Sequence, residues 1–407
     1  MKRTYYKVNL KLTSPLSLGS GTGENTDSDV LLDSRGVPFI PATSVAGIMR
    51  HDIGNAETAN TLFGSIDEES CKTRVITYDA VCTGKFVIAV RDSVKLKDDD
   101  KVAEDTGKFD FEAVETGAEF VGYIELAEHD DDVEEIILDA LSKMDLGLLR
   151  FGHKTSRGYG TVKITQCLKL AFTDVDKWLD FDMYDDGCWS GAEKINLAPE
   201  CGVVNIILKL KQRGAVSVRS YTTKASDGKE TAPDYEQLSL MNGTPVIPGT
   251  SWAGAFRERF CEFTDDKACK NLFGYIEKNK KNAINRKSRI YFGESKIEHF
   301  ESKTVTRNSI DRYTCRTNDG ALYTERTVYN GETELVIVLV EKPSAEAASA
   351  LMAVIADLNN GFLSIGGLTS VGRGLFMVEK IRVNGKDFTD DFKNRNFNRI
   401  SEVIANV

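Results

Sequence analysis

The chain has 407 residues, 41% hydrophobic and 28% charged, the balance of a globular protein with two or three cores rather than one. Its eight prolines are too few for long disordered or collagen-like tracts, and no apolar run approaches the roughly 18 residues of a membrane span. The net charge of −10 is uneven: residues 1–200 carry 22 Lys+Arg against 37 Asp+Glu, and residues 201–407 carry 30 against 25. An acidic total argues against indiscriminate nucleic-acid binding but leaves room for basic faces.

The amino-terminal run M-K-R-T-Y-Y-K-V-N-L has no long apolar stretch, so no secretory signal is expected. Val8 to Leu12 alternates as a half-buried strand, and Gly19, Gly21 and Gly23 open the loop after it. Thr43 or Ser44 is the expected N-cap of a short helix through Arg50. Arg74–Tyr78 and Glu119–Leu126 read as strands, and the acidic runs at 98–100 and 128–135 as solvated faces. Asp131–Met144 has helical apolar spacing and an acidic first turn, as the helix dipole favours. A strand follows around Gly160–Ile164, and residues 171–200, rich in Asp, Trp and Gly, read as an extension. The second half offers strands at Val203–Leu210, Glu334–Val340 and Leu375–Val378, with helices at Ser251–Phe260 and Ser344–Leu358. Between them, residues 306–328 read as a basic, hydroxyl-rich loop. The eight cysteines never form C-x-x-C and stand with four histidines, so no zinc ribbon is expected, and scattered thiols suit a reducing cytoplasm.

The chain repeats itself. F-I-P-A-T-S-V-A-G-I-M-R ends at Arg50 and V-I-P-G-T-S-W-A-G-A-F-R ends at Arg257, an offset of 207 shared by Gly36/Gly243, Pro41/Pro248 and Gly47/Gly254. Leu62-Phe63-Gly64 matches Leu272-Phe273-Gly274, the block at Arg74 matches that at Arg289, and F-G-H-K-T-S-R-G-Y-G (151–160) matches I-G-G-L-T-S-V-G-R-G (365–374). Four blocks in one order indicate two copies of one domain. Strand–helix–strand twice per copy predicts an α+β fold of two tandem ferredoxin-like domains, residues 1–200 (with 171–200 as extension or linker) and 201–407.

These blocks, P-L-S-L-G-S-G, I-P-A-T-S-V-A-G, L-F-G and S-R-G-Y-G, resemble the RAMP superfamily, the RNA-binding proteins of CRISPR systems. The similarity is greatest to backbone subunits of type III effector complexes, two of them fused in one chain. It implies RNA-recognition-motif-like domains that stack along a guide RNA, with thumb hairpins interrupting the guide–target duplex. It also implies guide RNA, complementary target RNA and other CRISPR effector subunits as partners, in the cytoplasm and without a membrane. Copy two departs from the pattern: G-A-V-S-V-R-S replaces P-L-S-L-G-S-G, and Val371 and Arg373 replace Arg157 and Tyr159.

Under that resemblance, glycine loops let backbone N–H groups approach phosphate, and arginines add charge. The RNA-binding candidates are Arg50, Arg74, Lys154, Arg157, Gly158 and Gly160 in copy one, and Arg257, Arg289, Gly372, Arg373 and Gly374 in copy two. The thumb-like segment 306–328 adds Arg307, Arg312, Arg316 and Arg326. Its counterpart at Arg91–Glu115 is far more acidic, and only Arg91/Arg307 keeps the pattern. Family members that cut RNA require an aspartate in the loop before the I-P block. Asp27 and Asp234 each lie 14 residues before that proline and are the catalytic candidates. Asp29 and Glu236 recur in the same register, whereas Asp33 is matched by Leu240. Such a carboxylate holds a divalent metal ion, Mg²⁺, beside the scissile phosphate or takes the proton of a 2′-hydroxyl. His153 is faced by Gly367, so a histidine role would not be shared by both copies. The expectation is a metal-dependent endoribonuclease acting within a complex. The alternatives are an inert structural RNA-binding subunit and a ribonuclease that processes precursor guide RNA.

Overall fold

The computed structural model describes residues 2–21, 23, 26–65, 72–96, 103–128, 131–155, 158–197, 203–220, 233–275 and 286–406. The chain divides into two compact units: unit 1 holds residues 1–155 and 159–200, and unit 2 holds residues 201–407 and 156–158.

Unit 1 runs β1 (Arg3–Leu12), β2 (Phe39–Ile40), α1 (Ala42–Ile53), α2 (Ala56–Phe63), β3 (Val75–Thr77), β4 (Ala80–Cys82), β5 (Ile88–Leu96), β6 (Ala103–Val114), β7 (Glu119–Ala127), α3 (Asp131–Asp145), β8 (Val162–Phe172), α4 (Val175–Leu179) and β9 (Glu193–Lys194). Its sheet is ordered β2-β4-β7-β1-β8-β9, with β3 also on β7. β1 sits in the middle, antiparallel to β7 and to β8. Alternation along β1 sends Tyr6, Val8, Leu10 and Leu12 into the core, where they join Val45 and Met49 of α1. α3 buries Val133, Ile137, Ala140, Leu141 and Met144, a stripe at steps of three and four, and opens with Asp131, Asp132 and Glu134. α1 starts two residues earlier than a Thr43 cap would allow and three earlier than a Ser44 cap. Pro41 is its N-cap and makes no side-chain cap bond. The Ala42 N–H is satisfied instead by Asp79 Oδ1 at 2.7 Å, so a distant loop does the capping.

Unit 2 repeats this plan with β10 (Val204–Arg213), β11 (Ala215–Val216), β12 (Arg219–Ser220), β13 (Tyr235–Gln237), β14 (Val246–Ile247), α5 (Gly249–Phe263), α6 (Asp266–Phe273), β15 (Ile290–Phe292), β16 (Ser295–Glu298), β17 (Glu301–Ile310), β18 (Thr317–Tyr329), β19 (Glu332–Leu339), α7 (Ala345–Asn360), β20 (Leu375–Val383), β21 (Lys386–Asp387), α8 (Thr389–Lys393) and α9 (Phe397–Asn406). Its sheet order, β14-β16-β19-β10-β20-β21 with β15 on β19, matches unit 1 strand for strand. Even an irregularity recurs: the register of β1 on β8 shifts between Asn9 and Leu10, and that of β10 on β20 between Lys209 and Leu210. Two antiparallel sheets packed with helices are what tandem ferredoxin-like domains require. α7 is capped at both ends, Ser344 accepting from the Ala347 N–H and Gly361 closing the helix in the left-handed region. Cys261 and Cys269 close the α5–α6 turn as a disulfide, their Cα atoms 5.4 Å apart, where the sequence led to free thiols.

The extension after β8 folds back on unit 1. Trp178, Phe181, Met183 and Trp189 pack on Tyr5 and Tyr123, on the face of the sheet away from α1 and α3. The Trp178 indole donates to the Tyr5 hydroxyl at 2.8 Å, and Lys7 pairs with Asp186. An RNA-recognition sheet stacks bases on exposed aromatics of that face. In unit 1 those aromatics are already covered. Trp189 is 5% exposed. Trp189→Ala is therefore expected to destabilise unit 1 by about 3 kcal/mol. Denaturant unfolding checks this, and an unchanged midpoint would show that the strap is not packed.

Candidate nucleic-acid interface

The glycine loop after α3 is a backbone device, built the same way twice. The Gly160 N–H donates to Pro15 O and the His153 N–H to Ser17 O; in unit 2 the Gly374 N–H donates to Ala215 O and the Gly367 N–H to Ser217 O. Phe151 and Ile365 close the loops through N–H bonds to Gly160 O and Gly374 O, each 2.9 Å. Gly160 and Gly374 have φ near +75°, and a Cβ on either would fall about 2 Å from the carbonyl oxygen of Phe151 or Ile365. These two glycines are buried in the turn and serve close backbone packing. Lys154 and Leu368 hold the same left-handed conformation, φ 58° and 57°. Gly158 and Gly372 are also left-handed, and Gly372 is exposed. Arg157 lies outside the described residues.

The loop seats a hairpin. In unit 1 β5 pairs with β6; in unit 2 β17 pairs with β18, where the sequence suggested a loop. The acidic Arg91–Glu115 segment thus forms the same element as the basic one. Register corrects one pairing. Arg91 faces Phe111, and Val305 faces Glu325. Phe111 touches Tyr159 and Glu325 pairs with Arg373, so Arg91 corresponds to Val305 rather than Arg307. The offset between units here is 214, the same as in the glycine loop.

That offset exposes an exchange of chemistry. Tyr159 and Phe111 meet as an edge-on aromatic pair in unit 1. At the same two positions unit 2 has Arg373 and Glu325, 3% and 0% exposed, as a buried ion pair to which the Ser217 hydroxyl also donates. Arg373 thus spends its guanidinium on Glu325 inside unit 2, a buried pairing that the glycine-loop sequence does not announce.

Both acidic candidates are exposed and held by the hairpin. The Asp27 N–H donates to Asp110 Oδ1 at 3.2 Å, and the Asp110 N–H returns a bond to Asp27 Oδ2 at 3.1 Å. The Asp234 N–H donates to Thr324 Oγ1 at 3.2 Å, and the Thr324 N–H returns a bond to Asp234 Oδ2 at 2.6 Å. Thr324 Oγ1 also lies 3.2 Å from Asp234 Oδ2. In both aspartates Oδ1 accepts no hydrogen bond among the described residues. Asp29 accepts from the Thr26 hydroxyl and N–H, and Glu236 pairs with Arg326 at 2.9 Å. Asp33 belongs to a turn, where the Val37 N–H above all holds its carboxyl below the usual range. Among the described residues no three His, Cys, Asp or Glu side chains are placed to hold a metal ion.

Cations with aromatics lie close by. Lys154 Nζ stands over the rings of Phe111 and Phe109, which flank Asp110. The Arg219 guanidinium stands 4.0 Å over Tyr235, and Tyr235 meets Tyr323, the neighbour of Thr324. Arg219, Tyr235 and Tyr323 escaped the sequence reading because they are not matched letter for letter. Beyond them the unit 2 hairpin projects Arg312, Tyr313 and Arg316, with Tyr313 89% exposed and Ile310 and Leu322 about 65% exposed. Asp311 spends its carboxylate on this turn, accepting from Thr314 and Tyr313, which holds it below the usual range. Arg307 is half-buried opposite Tyr323.

The remaining arginines are not alike. Arg50 donates to Gly64 O at 2.8 Å and to Asn60, tying α1 to the end of α2. Its counterpart Arg257 is exposed and makes no ion pair among the described residues. The Arg74 and Arg289 N–H groups both bond the helix end, at Leu62 O and Leu272 O, and Arg289 also pairs with Glu341.

A family model described as the RAMP superfamily matches residues 9–163 and again residues 211–377. The chain belongs to the RAMP superfamily. Both matches begin within the central strand of a unit, β1 or β10, and end in β8 or β20, so the duplication is one of RAMP domains. RAMP proteins bind CRISPR RNA within CRISPR complexes. No curated protein matches this RAMP chain. Among the described residues no helix is long and apolar enough to cross a membrane.

Glu325→Ala would leave the Arg373 guanidinium buried without its carboxylate, at an expected cost of about 3–5 kcal/mol to unit 2. Glu325→Phe with Arg373→Tyr installs the unit 1 pair and should recover part of that loss. Equilibrium denaturation of the two proteins decides; a double variant no better than Glu325→Ala would show that the two sites are not interchangeable.

Proposed function

We propose that the chain is a tandem backbone subunit of a type III CRISPR ribonucleoprotein, binding guide RNA with both units and cutting complementary target RNA once per unit. The observation that carries this reading is the repeated placement of an exposed carboxylate, anchored through Oδ2 and with no bond to Oδ1 from the described residues, beside a hairpin and a cation–aromatic group. A carboxylate held through one oxygen at an exposed position is a preorganised arrangement for work on a phosphodiester. Both hairpins are thumbs in this reading, and Arg257, Arg312 and Arg316 are the phosphate contacts with the best exposure. Other effector subunits and the two RNAs are its partners.

Mg²⁺ fits the carboxylates only in part. Such an ion usually takes one or two carboxylates and completes its shell with water and substrate phosphate, which suits a single exposed aspartate per unit. When bound, it would supply Lewis-acid stabilisation of the charge developing on phosphate. A second reading, an inert RNA-binding subunit, draws support from the use of the same carboxylates in holding the loop.

In the purified ribonucleoprotein, Asp27→Ala and Asp234→Ala are each expected to slow one of two target cuts by about 100-fold or more, with target binding retained. EDTA should stop both. Two unaltered cuts in the double variant would remove these residues from the chemistry; a wild-type complex that binds target and cuts nothing would favour the inert subunit.

Cys315 is a built-in reporter of the hairpin turn. It is exposed at φ 53°, whereas Cys82 and Cys167 are buried and burial pushes the Cys167 thiol up to about 12. Alkylation of Cys315, read by peptide mass spectrometry, should slow when target RNA is bound. Equal rates with and without target would place the hairpin away from RNA.

A further inference from the structure

We infer that Asp110 and Thr324 are the positioning residues of the two units, so that each hairpin sets the carboxylate beside it. This rests on the reading of Asp27 and Asp234 as the cutting residues. The two clasps have the same topology. In each, the backbone N–H of the aspartate meets a side-chain oxygen of the hairpin residue, and the hairpin N–H meets Oδ2 of the aspartate. The aspartates are 207 apart and their partners 214 apart, the offset of the hairpin and glycine loop. Two partners of different chemistry, a carboxylate and a hydroxyl, occupy one structural position and make the same pair of bonds.

Further bonds bind loop to hairpin in the same place. In unit 1 the Glu112 N–H donates to Ser28 O, and the Val30 N–H donates to Glu112 Oε2. In unit 2 β13 runs parallel to β18, with Tyr235 beside Glu325 and Glu236 beside Arg326. The acidic loop therefore cannot keep its place if the second hairpin strand leaves. A hairpin pushed aside carries off the acceptor of the aspartate N–H and the donor to Oδ2 together. Cutting in each unit is thereby conditional on how its own hairpin is seated. On β6 and β18 the residues flanking the clasp, Phe109 with Phe111 and Tyr323 with Glu325, point to the opposite face from the clasping side chain. Phe111 and Glu325 on that face pack on Tyr159 and Arg373 of the glycine loop, so loop and carboxylate are linked through a single hairpin residue.

The substitutions separate positioning from mere stability. Thr324→Val removes the hydroxyl and keeps the shape; Thr324→Ser keeps the hydroxyl. Asp110→Ala removes the acceptor of the Asp27 N–H; Asp110→Asn keeps an acceptor and drops the charge. In the assembled ribonucleoprotein under single turnover, Thr324→Val should slow the unit 2 cut about tenfold at saturating enzyme, with unchanged target affinity and an unchanged unit 1 cut. Thr324→Ser should restore it. Asp110→Ala should slow only the unit 1 cut, and Asp110→Asn should cut as wild type. Amide hydrogen exchange on the full chain gives a readout without activity: exchange at 233–238 should rise in Thr324→Val and not in Thr324→Ser. Wild-type rates in Thr324→Val and Asp110→Ala, in a complex where Asp234→Ala and Asp27→Ala abolish their cuts, would overturn the positioning role and leave the cutting residues standing. Wild-type cutting in the two aspartate variants would overturn both. Unchanged exchange at 233–238 in Thr324→Val would overturn the clasp itself.

Discussion

The hydrogen-bond pair between the acidic loop and the second hairpin strand joins residues 83 apart in unit 1 and 90 apart in unit 2. Contacts so distant in sequence form only after the chain between them has been ordered, and they bear its closure entropy. Each therefore depends on a rigid base. That base is the meeting of the central strand's exit with the glycine loop, where the Gly160 and Gly374 N–H groups reach Pro15 O and Ala215 O. From there Leu16 bridges Val114 at the foot of one hairpin, and Ala215–Val216 pair with Val328–Tyr329 at the foot of the other. Sheet, glycine loop, hairpin and carboxylate form one chain of dependence, present twice.

The two units have kept backbone relations and exchanged side chains. Aromatic Phe111–Tyr159 and ionic Glu325–Arg373 fill one site. Asp110 and Thr324 fill another, and Lys154 over Phe111 has a counterpart in kind, not in position, in Arg219 over Tyr235. Backbone bonds make no demand on side-chain identity, so such exchanges leave the frame intact. Charge at a matched position is a poor guide for the same reason. Arg50 and Arg257 align perfectly, yet one braces a helix and the other faces solvent.

Where periodicity was strong, the sequence was enough. α3 and α7 appear within two residues of where their apolar stripes put them, and the alternation at Val8–Leu12 marks the second half of β1. The sequence of β17 and β18 reads as loop because their outer parts are exposed on both faces, which leaves no apolar alternation to detect. The strap around Trp178 and Trp189 looked like a linker because its aspartates outnumber its aromatics. The Asp27/Asp234 register was visible in the letters. Their partners were not, since aspartate and threonine are not a match, and only the constant offset of 214, carried back from the glycine loop, points to them. The glycines themselves were found for a different reason from the one that places Gly160 and Gly374, which is backbone packing.

The claim on which the rest turns is that the two acidic loops face the same kind of ligand. An experimental structure of the ribonucleoprotein with guide RNA and an uncleavable target addresses it directly. The account predicts a target phosphodiester beside Oδ1 of Asp27 and another beside Oδ1 of Asp234, with each hairpin between stacked base pairs. RNA running over other surfaces of the two units, with both loops bare, would contradict it.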